Sequence, residues 1–358
     1  MEKVYDLHIH YTFDIPLKET VEIFEQEFAQ TNTEKYCFLS IPYKLSKSQI
    51  ALDDTQNIKA LYLKKAFSPN AYAFAGLEYN STCESELSIS FLEQAKEYFS
   101  VGYDGIKMLE GYPSLLKERK IPLDSKIYDK FYDFMERNGY PIIMHMANPK
   151  ENWDIASASK EAIEQGRVYD QSYPTKEEIT NQVFGIMEKF PKLKLILAHF
   201  GFFSYDISLA ERFLSYENTC FDITPGGEQL INMGKEWDKW FLFWQKHVDR
   251  IFYGTDFYAF PKNAEWQVAF NRRPKFIRQF LETNKSHLYL GEEFTGILLD
   301  KSLRDKIYRD NFMKLLGEPK TISKDYVLKT TKRLLDKDTH KSSYAKEDLA
   351  LILNEFSN

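Results

Sequence analysis

Histidine is scarce in this chain of 358 residues, seven in all, and four of the seven stand where an apolar run comes to an end. His8 and His10 close the run 4–10, His145 sits near the end of 141–146, and His199 near the end of 194–201. In an extended strand residues i and i+2 project to one face, so His8 and His10 aim two imidazoles at a common point. Asp256, inside the run 251–258, adds a carboxylate. Imidazole nitrogens joined by one carboxylate oxygen suit zinc, manganese or iron, and the carboxylates are too few for calcium. A divalent cation fits. Such an ion lowers the pKa of a bound water from 15.7 to roughly 7 and polarises a carbonyl held beside it.

Only a particular scaffold brings those positions together. Eight apolar runs bounded by turn signals cover 4–10, 36–42, 71–79, 105–111, 141–146, 194–201, 219–224 and 251–258, and they are too continuous for half-exposed antiparallel strands. Between them lie helix-period segments at 17–30, 85–99, 124–137, 175–190, 206–216 and 228–247. Eight strands alternating with helices over about 260 residues predict an α/β fold, a closed (β/α)8 TIM barrel, with an open doubly wound sheet as the competitor. In a closed barrel the ends at 10, 145, 199 and 256 share one mouth. The longest interval, 146–194, follows the fifth run and makes a candidate lid or specificity element at that mouth, or a surface excursion with its own helix over 157–165. Further helices are expected at 262–282 and 302–316. Residues 1–317 are read as the barrel domain, and 318–358 as extra C-terminal helices packed on it or forming an oligomer contact.

The composition narrows the classes further. Hydrophobic residues at 43% and charged ones at 28% describe an ordinary folded chain, and a formal charge of −6 disfavours broad contact with phosphate backbones. No apolar stretch is long enough to span a membrane and the N-terminus lacks a secretory layout, so a cytoplasmic location is expected. Cys37, Cys83 and Cys220 support neither a disulfide framework nor a cysteine zinc site. The expected partner is a small molecule, not nucleic acid or membrane, and a homo-oligomer stays open. The 16% of aromatic residues can line a pocket for a flat ring or simply pack.

Asp-Leu-His-Ile-His at 6–10, Met-His at 144–145, Leu-Ala-His-Phe-Gly at 197–201 and Tyr-Gly-Thr-Asp-Phe at 253–257 resemble the amidohydrolase superfamily, most of all its amidohydrolase-2 branch. That branch includes aminocarboxymuconate semialdehyde decarboxylase and related hydrolases and decarboxylases. Residues 307–317 are similar to the helix that closes its domain. The resemblance implies that His8, His10, His145 and Asp256 bind one metal ion, with zinc expected before manganese. It gives His199 a part in orienting the attacking water and in proton transfer, or a place in a second metal site. Relatives with two metals carry a carboxylated lysine on the fourth strand, where this chain offers Lys107 and Glu110; a single metal with Lys107 as a substrate-facing cation is the favoured reading.

The same arrangement sets the expected chemistry. Asp256 is placed to take a proton from the nucleophilic water and pass it to a leaving group, and His199 to stabilise charge on the oxyanion. Lys107, Trp153 and Tyr258 are the candidate substrate-binding residues, and Tyr43, Glu78, Glu110 and Phe202 also lie at or beyond strand ends. Arg272 and Arg273 could clamp a carboxylate, or form an ordinary surface pair. His247, His287 and His340 are set aside. The expected activity is a metal-dependent hydrolase acting on a small amide, ester or lactone; the alternative is a non-oxidative decarboxylase of a carboxylated aromatic or muconate-like substrate.

Overall fold

The apolar runs form parallel strands in a computed structural model that describes all residues except 12–13, 43–53, 226–228, 262–270, 338–339, 341 and 358. Tyr43 and the start of the helix expected at 262–282 therefore lie outside the described residues. The strands are β1 Val4–His10, β2 Thr33–Leu39, β3 Ala71–Gly76, β4 Gly105–Gly111, β5 Ile142–Met146, β6 Leu195–Leu197, β7 Thr219–Asp222, β8 Ile251–Phe252 and β9 Phe257–Tyr258. They pair in the order β8-β7-β6-β5-β4-β3-β2-β1-β9.

The two ends of that order belong to one stretch of chain. The run expected as a single eighth strand is split: Ile251 and Phe252 pair with Phe221 and Asp222 of β7, while Phe257 and Tyr258 pair with Ile9 and His10 of β1. Leu7 N–H also donates to the Tyr253 carbonyl at 3.1 Å, within the gap. A sheet whose first and last strands are halves of the same segment is a closed barrel, which is the (β/α)8 class the alternation predicted.

Side chains fill the interior. Leu7, Leu39, Phe74, Ile143, Ile196 and Phe252 pack together, joined by Phe312 from helix Asn311–Leu316, whose ring meets Tyr5 and Tyr72 edge-on at 5.7 and 5.0 Å. A larger apolar cluster fills the layer between strands and helices. Cys37 and Cys220 are buried, Cys83 is exposed, and all three are free.

Several strands stop earlier than their apolar runs, for a common reason. β3 ends at Gly76, and β6 ends at Leu197, after which Ala198–Phe202 form a turn with His199 and Phe200 both at a left-handed φ of 55°. An apolar run cannot distinguish a strand residue from a buried turn residue that must swing its side chain over the barrel end. The segment expected as one helix at 228–247 divides into Gln229–Lys235 and Trp237–His247, and the excursion after β5 holds a 3₁₀ turn at Lys150–Trp153 and the short helix Lys160–Glu164 before the expected helix, Lys176–Lys189. An antiparallel hairpin, Ser286–Tyr289 with Glu292–Thr295, has no counterpart in the sequence reading.

The C-terminal helices Lys324–Leu335 and Ala345–Ser357 pack on helix Gln56–Ala66. Asp348 makes a buried ion pair with Lys59 at 2.8 Å and accepts from Leu17 N–H at 2.7 Å. Gly102 permits the join, because a Cβ there would lie 2.6 Å from the Thr321 carbonyl oxygen. Among the described residues no helix is long and apolar enough to cross a membrane.

Candidate metal centre

β1 delivers its two histidines to the barrel mouth, with a shift in the pairing to β2 between Asp6 and Ile9. Each ring is oriented through Nδ1. His10 Nδ1 lies 3.0 Å from the Leu39 carbonyl, which can only accept, so the proton is on Nδ1 and the Nε2 lone pair is free. His8 Nδ1 lies 2.8 Å from Asp222 Oδ2, and a carboxylate on that side fixes the same tautomer. The two Nε2 atoms then face each other at 3.0 Å. Asp256 Oδ1 stands 3.6 Å from both. Donor atoms about 2.1 Å from a tetrahedral ion are about 3.4 Å apart, so this triangle has the size of one face of a metal site. Two lone pairs opposed at that distance repel unless a cation offsets them; Lys107 Nζ reaches one, at 3.2 Å from His8 Nε2, and the size and donor types of the triangle fit a divalent ion.

His8, His10 and Asp256 are the one group among the described residues whose metal-binding atoms all lie within 4.8 Å of each other. His145 stands further out. Its ring centre is 5.1 Å from that of His199, and its Nε2 is buried with no hydrogen-bond partner. His199 packs 5.4 Å from His8, ring to ring. Its Nδ1 is 2.9 Å from Thr224 Oγ1, whose own proton goes to Asp222 Oδ1 at 2.6 Å, so His199 Nδ1 donates and its Nε2 is left as the acceptor.

Asp256 reaches the site because the seam segment breaks. The residue adopts a left-handed φ of 51°, unusual for a side chain that is not glycine, in the gap between β8 and β9. Gly254 keeps the gap tight, since a Cβ there would fall 2.7 Å from Thr224 Cγ2 and 3.1 Å from His8 Cβ. Arg273 Nη1 binds Asp256 Oδ2 at 2.9 Å and its carbonyl at 2.6 Å. Arg273 is thus neither a surface pair with the exposed Arg272 nor a free carboxylate clamp.

The other expected residues divide. Lys107 lies in the site, its Nζ 3.2 Å from His8 Nε2. Tyr258 packs against His10 at 4.9 Å, and Phe202 stacks on His199 at 5.2 Å. Trp153 is not brought to the ligands; its Nε1 donates to the Pro174 carbonyl at 3.0 Å and fastens the long loop to itself. Glu78 accepts from Asn57 Nδ2 at 3.2 Å, and Glu110 from the Tyr79 hydroxyl at 3.1 Å.

Burial dominates the electrostatics. It holds the His8 and His10 imidazoles well below their ordinary range, with the Lys107 charge adding to both. Burial, followed by the Lys107 charge, takes His145 down to about 3. It brings Lys107 down to about 8 and pushes Asp256 up to about 6 against the pull of Arg273. Neutral imidazoles are what a metal needs from its ligands.

Sequence reading missed the residues that hold these ligands. Asp222 Oδ1 collects His199 N–H at 2.8 Å and Thr224 N–H at 3.2 Å while Oδ2 holds His8. Asp6 accepts from His8 N–H at 3.0 Å and from Thr255 Oγ1 at 2.5 Å, joining β1 to the seam. Each is a carboxylate in or at the end of a buried apolar run, the same signal that marked Asp256.

Residues 99–235 match the amidohydrolase family Amidohydro_2. No protein of curated function matches the chain in sequence. Solved structures similar in fold include the following three. A 2,6-dihydroxybenzoate decarboxylase complexed with 2,6-dihydroxybenzoate gives a TM-score of 0.53 at 16% identity, covering 88% of this chain and 99% of that one. The 2,6-dihydroxybenzoate decarboxylase from Rhizobium gives 0.52 at 16% identity, with the same coverage. The 4-oxalomesaconate hydratase from Rhodopseudomonas palustris gives 0.50 at 14% identity, over 92% of this chain and 99% of that one. At these identities the likeness establishes the barrel. The resemblance read from the motifs is borne out, by sequence over 99–235 and by fold over most of the chain. The chain is thus similar to that family over residues 99–235, and it carries a candidate divalent-metal site at the mouth of its barrel.

Proposed function

We propose that the chain is a non-oxidative decarboxylase of a carboxylated aromatic acid, working with one divalent ion, zinc before manganese. The observation that carries the metal is the convergence of His8 Nε2, His10 Nε2 and Asp256 Oδ1 with both imidazole protons committed elsewhere. His145, with its buried unpartnered Nε2, is the proposed further ligand. The two dihydroxybenzoate decarboxylases of like fold support the reaction class over hydrolysis of an amide, ester or lactone.

When bound, the ion would hold the substrate's oxygens and draw off negative charge as carbon dioxide leaves. The bond between the ring carbon and its carboxyl carbon breaks, the electron pair stays on the ring carbon, and a proton takes the vacated place. His199 is the proposed proton carrier: its Nε2, left as an acceptor because Nδ1 is tied to Thr224, takes a proton from solvent water and passes it to the ring carbon. Asp256 is better suited to the ligand role than to that of a free base, because Arg273 occupies Oδ2. Phe202 and Tyr258 supply aromatic walls for a flat ring, and Lys107 the cation facing the substrate's carboxylate.

The test is direct. Metal-loaded protein is given 2,6-dihydroxybenzoate and other hydroxybenzoates alongside esters and lactones, and both carbon dioxide and new acid are measured. Carbon dioxide release is expected; acid release without it would restore the hydrolase reading. A metal content near zero in protein never exposed to chelator would remove both.

A further inference from the structure

Glu27 interrupts the apolar face of helix Leu17–Thr31. Ile23, Phe24 and Phe28 stand beside it at helical spacing, and Glu27 is buried with them, 7% exposed. A carboxyl so placed ordinarily meets a cation or a set of donors. Glu27 Oε1 has no hydrogen-bond partner, and among the described residues its carboxyl makes no ion pair.

Helix Arg273–Glu282 brings a donor in the complementary condition. Arg278, 6% exposed, gives Nη1 to Glu282 Oε1 at 3.0 Å and Nη2 to the carbonyls of Glu2 and Thr31 at 2.6 and 3.2 Å. Its guanidinium lies 5.3 Å over the Tyr308 ring, so the whole group is held in place. The Nε–H is left over, buried and without an acceptor. Glu27 and Arg278 line one cleft of about 360 Å³ between the two helices, with Gln30, Pro274, Gln279 and Thr283 on its sides. A water occupies about 30 Å³, whereas clefts that take small organic molecules begin near about 300 Å³. None of the metal-centre histidines, nor Asp256, lines it.

The two unmatched atoms ask for opposite things, an N–H or O–H at Glu27 and an acceptor at Arg278. A ligand amine would serve Glu27 but add a second cation beside Arg278 and leave Nε–H unmet. A ligand carboxylate would serve Arg278 but set a second anion against Glu27. A neutral amide carries a donor and an acceptor side by side and meets both demands without adding charge. We propose that this cleft binds a small molecule with an amide-type edge, as in a primary carboxamide, a lactam or a cyclic urea, its N–H donating to Glu27 Oε1 and its carbonyl accepting from Arg278 Nε. The site is on the barrel's flank and is independent of the reaction at the metal.

Titration of the metal-loaded full chain with benzamide and with pyrrolidinone, followed by protein NMR, tests it. Their N-methylated counterparts, which lack the N–H, and benzylamine, which lacks the carbonyl, are the comparisons. At least one of the two amides should bind tenfold or more tighter than its N-methylated form and than benzylamine. Glu27→Leu should cost that amide tenfold or more in affinity. Gln279→Trp should do the same, because its indole takes up the cleft and leaves Glu27 and Arg278 unaltered. Circular dichroism confirms that each variant is folded, and either one suffices if the other is not. No discrimination by wild type, or an affinity that survives either substitution in folded protein, overturns the proposal.

Discussion

Arg273 holds Asp256 by both its side chain and its backbone: Nη1 lies 2.9 Å from Oδ2 and 2.6 Å from the carbonyl oxygen. One guanidinium nitrogen therefore fixes the left-handed turn and leaves Oδ1 to the histidines. Removing the grip frees the carboxylate to rotate. Arg273→Gln should weaken metal binding about 10- to 100-fold, the usual cost of losing a group that orients a ligand, and Arg273→Lys should recover part of it. Titration of chelator-stripped protein with zinc reads this, and an unchanged dissociation constant would remove Arg273 from the site.

Asp222 fixes the tautomer of His8. Replaced by asparagine, it can present an amide N–H to Nδ1 and drive the imidazole proton onto Nε2, where it blocks the metal. Asp222→Asn should cost at least tenfold in zinc affinity with little loss of α/β circular dichroism. Equal affinity would show that the Nδ1 contact does not set the proton's position.

A bound ion should stabilise the native barrel. Free metal at a hundredfold excess over its dissociation constant adds about 2.7 kcal/mol. Stripping wild type with chelator should lower the melting temperature, whereas the double variant His8→Ala, His10→Ala should melt at the same temperature with and without chelator. A chelator effect persisting in that variant places the ion elsewhere.

Glu27 gives a pH signature far from the ligands. Its carboxyl is buried, Oε1 has no partner, and burial pushes it from an ordinary 4.5 up to about 7. Between those values the folded chain binds a proton that the unfolded chain has released, so this contribution is complete below pH 4.5 and is lost as pH rises through 7. At about 1.4 kcal/mol per pH unit the loss approaches about 3 kcal/mol. Glu27→Gln should match wild type near pH 4 and exceed it in urea denaturation at pH 8. Parallel stability curves from pH 4 to 8 would count against it.

The parts legible in the sequence were those with a period or a rare residue type. β1 and β4 run over the residues their patterns indicated, because a continuous apolar run ended by a histidine or glycine has few other solutions. The histidines and Asp256 announced themselves by type and placement. What stayed hidden is contact across the barrel. Nothing near Asp222 says that it will meet His8, 214 positions away, and nothing near Arg273 says that it will turn inward. Trp153 shows the converse: a conspicuous residue at a suggestive place whose indole is used up inside its own loop. The split of the eighth strand was also invisible, because both halves are apolar and only closure of the sheet assigns them different neighbours.

That split gives the cation a second task. Two donors sit on the first strand and the third in the interruption of the last, so an ion bound there ties the cylinder shut at its junction. Amide protons of Leu7 and Phe257 should then exchange faster once the ion is withdrawn, while those deep in β3 and β4, on the far wall, keep their protection. In this hoop the clasp and the reactive centre are the same object.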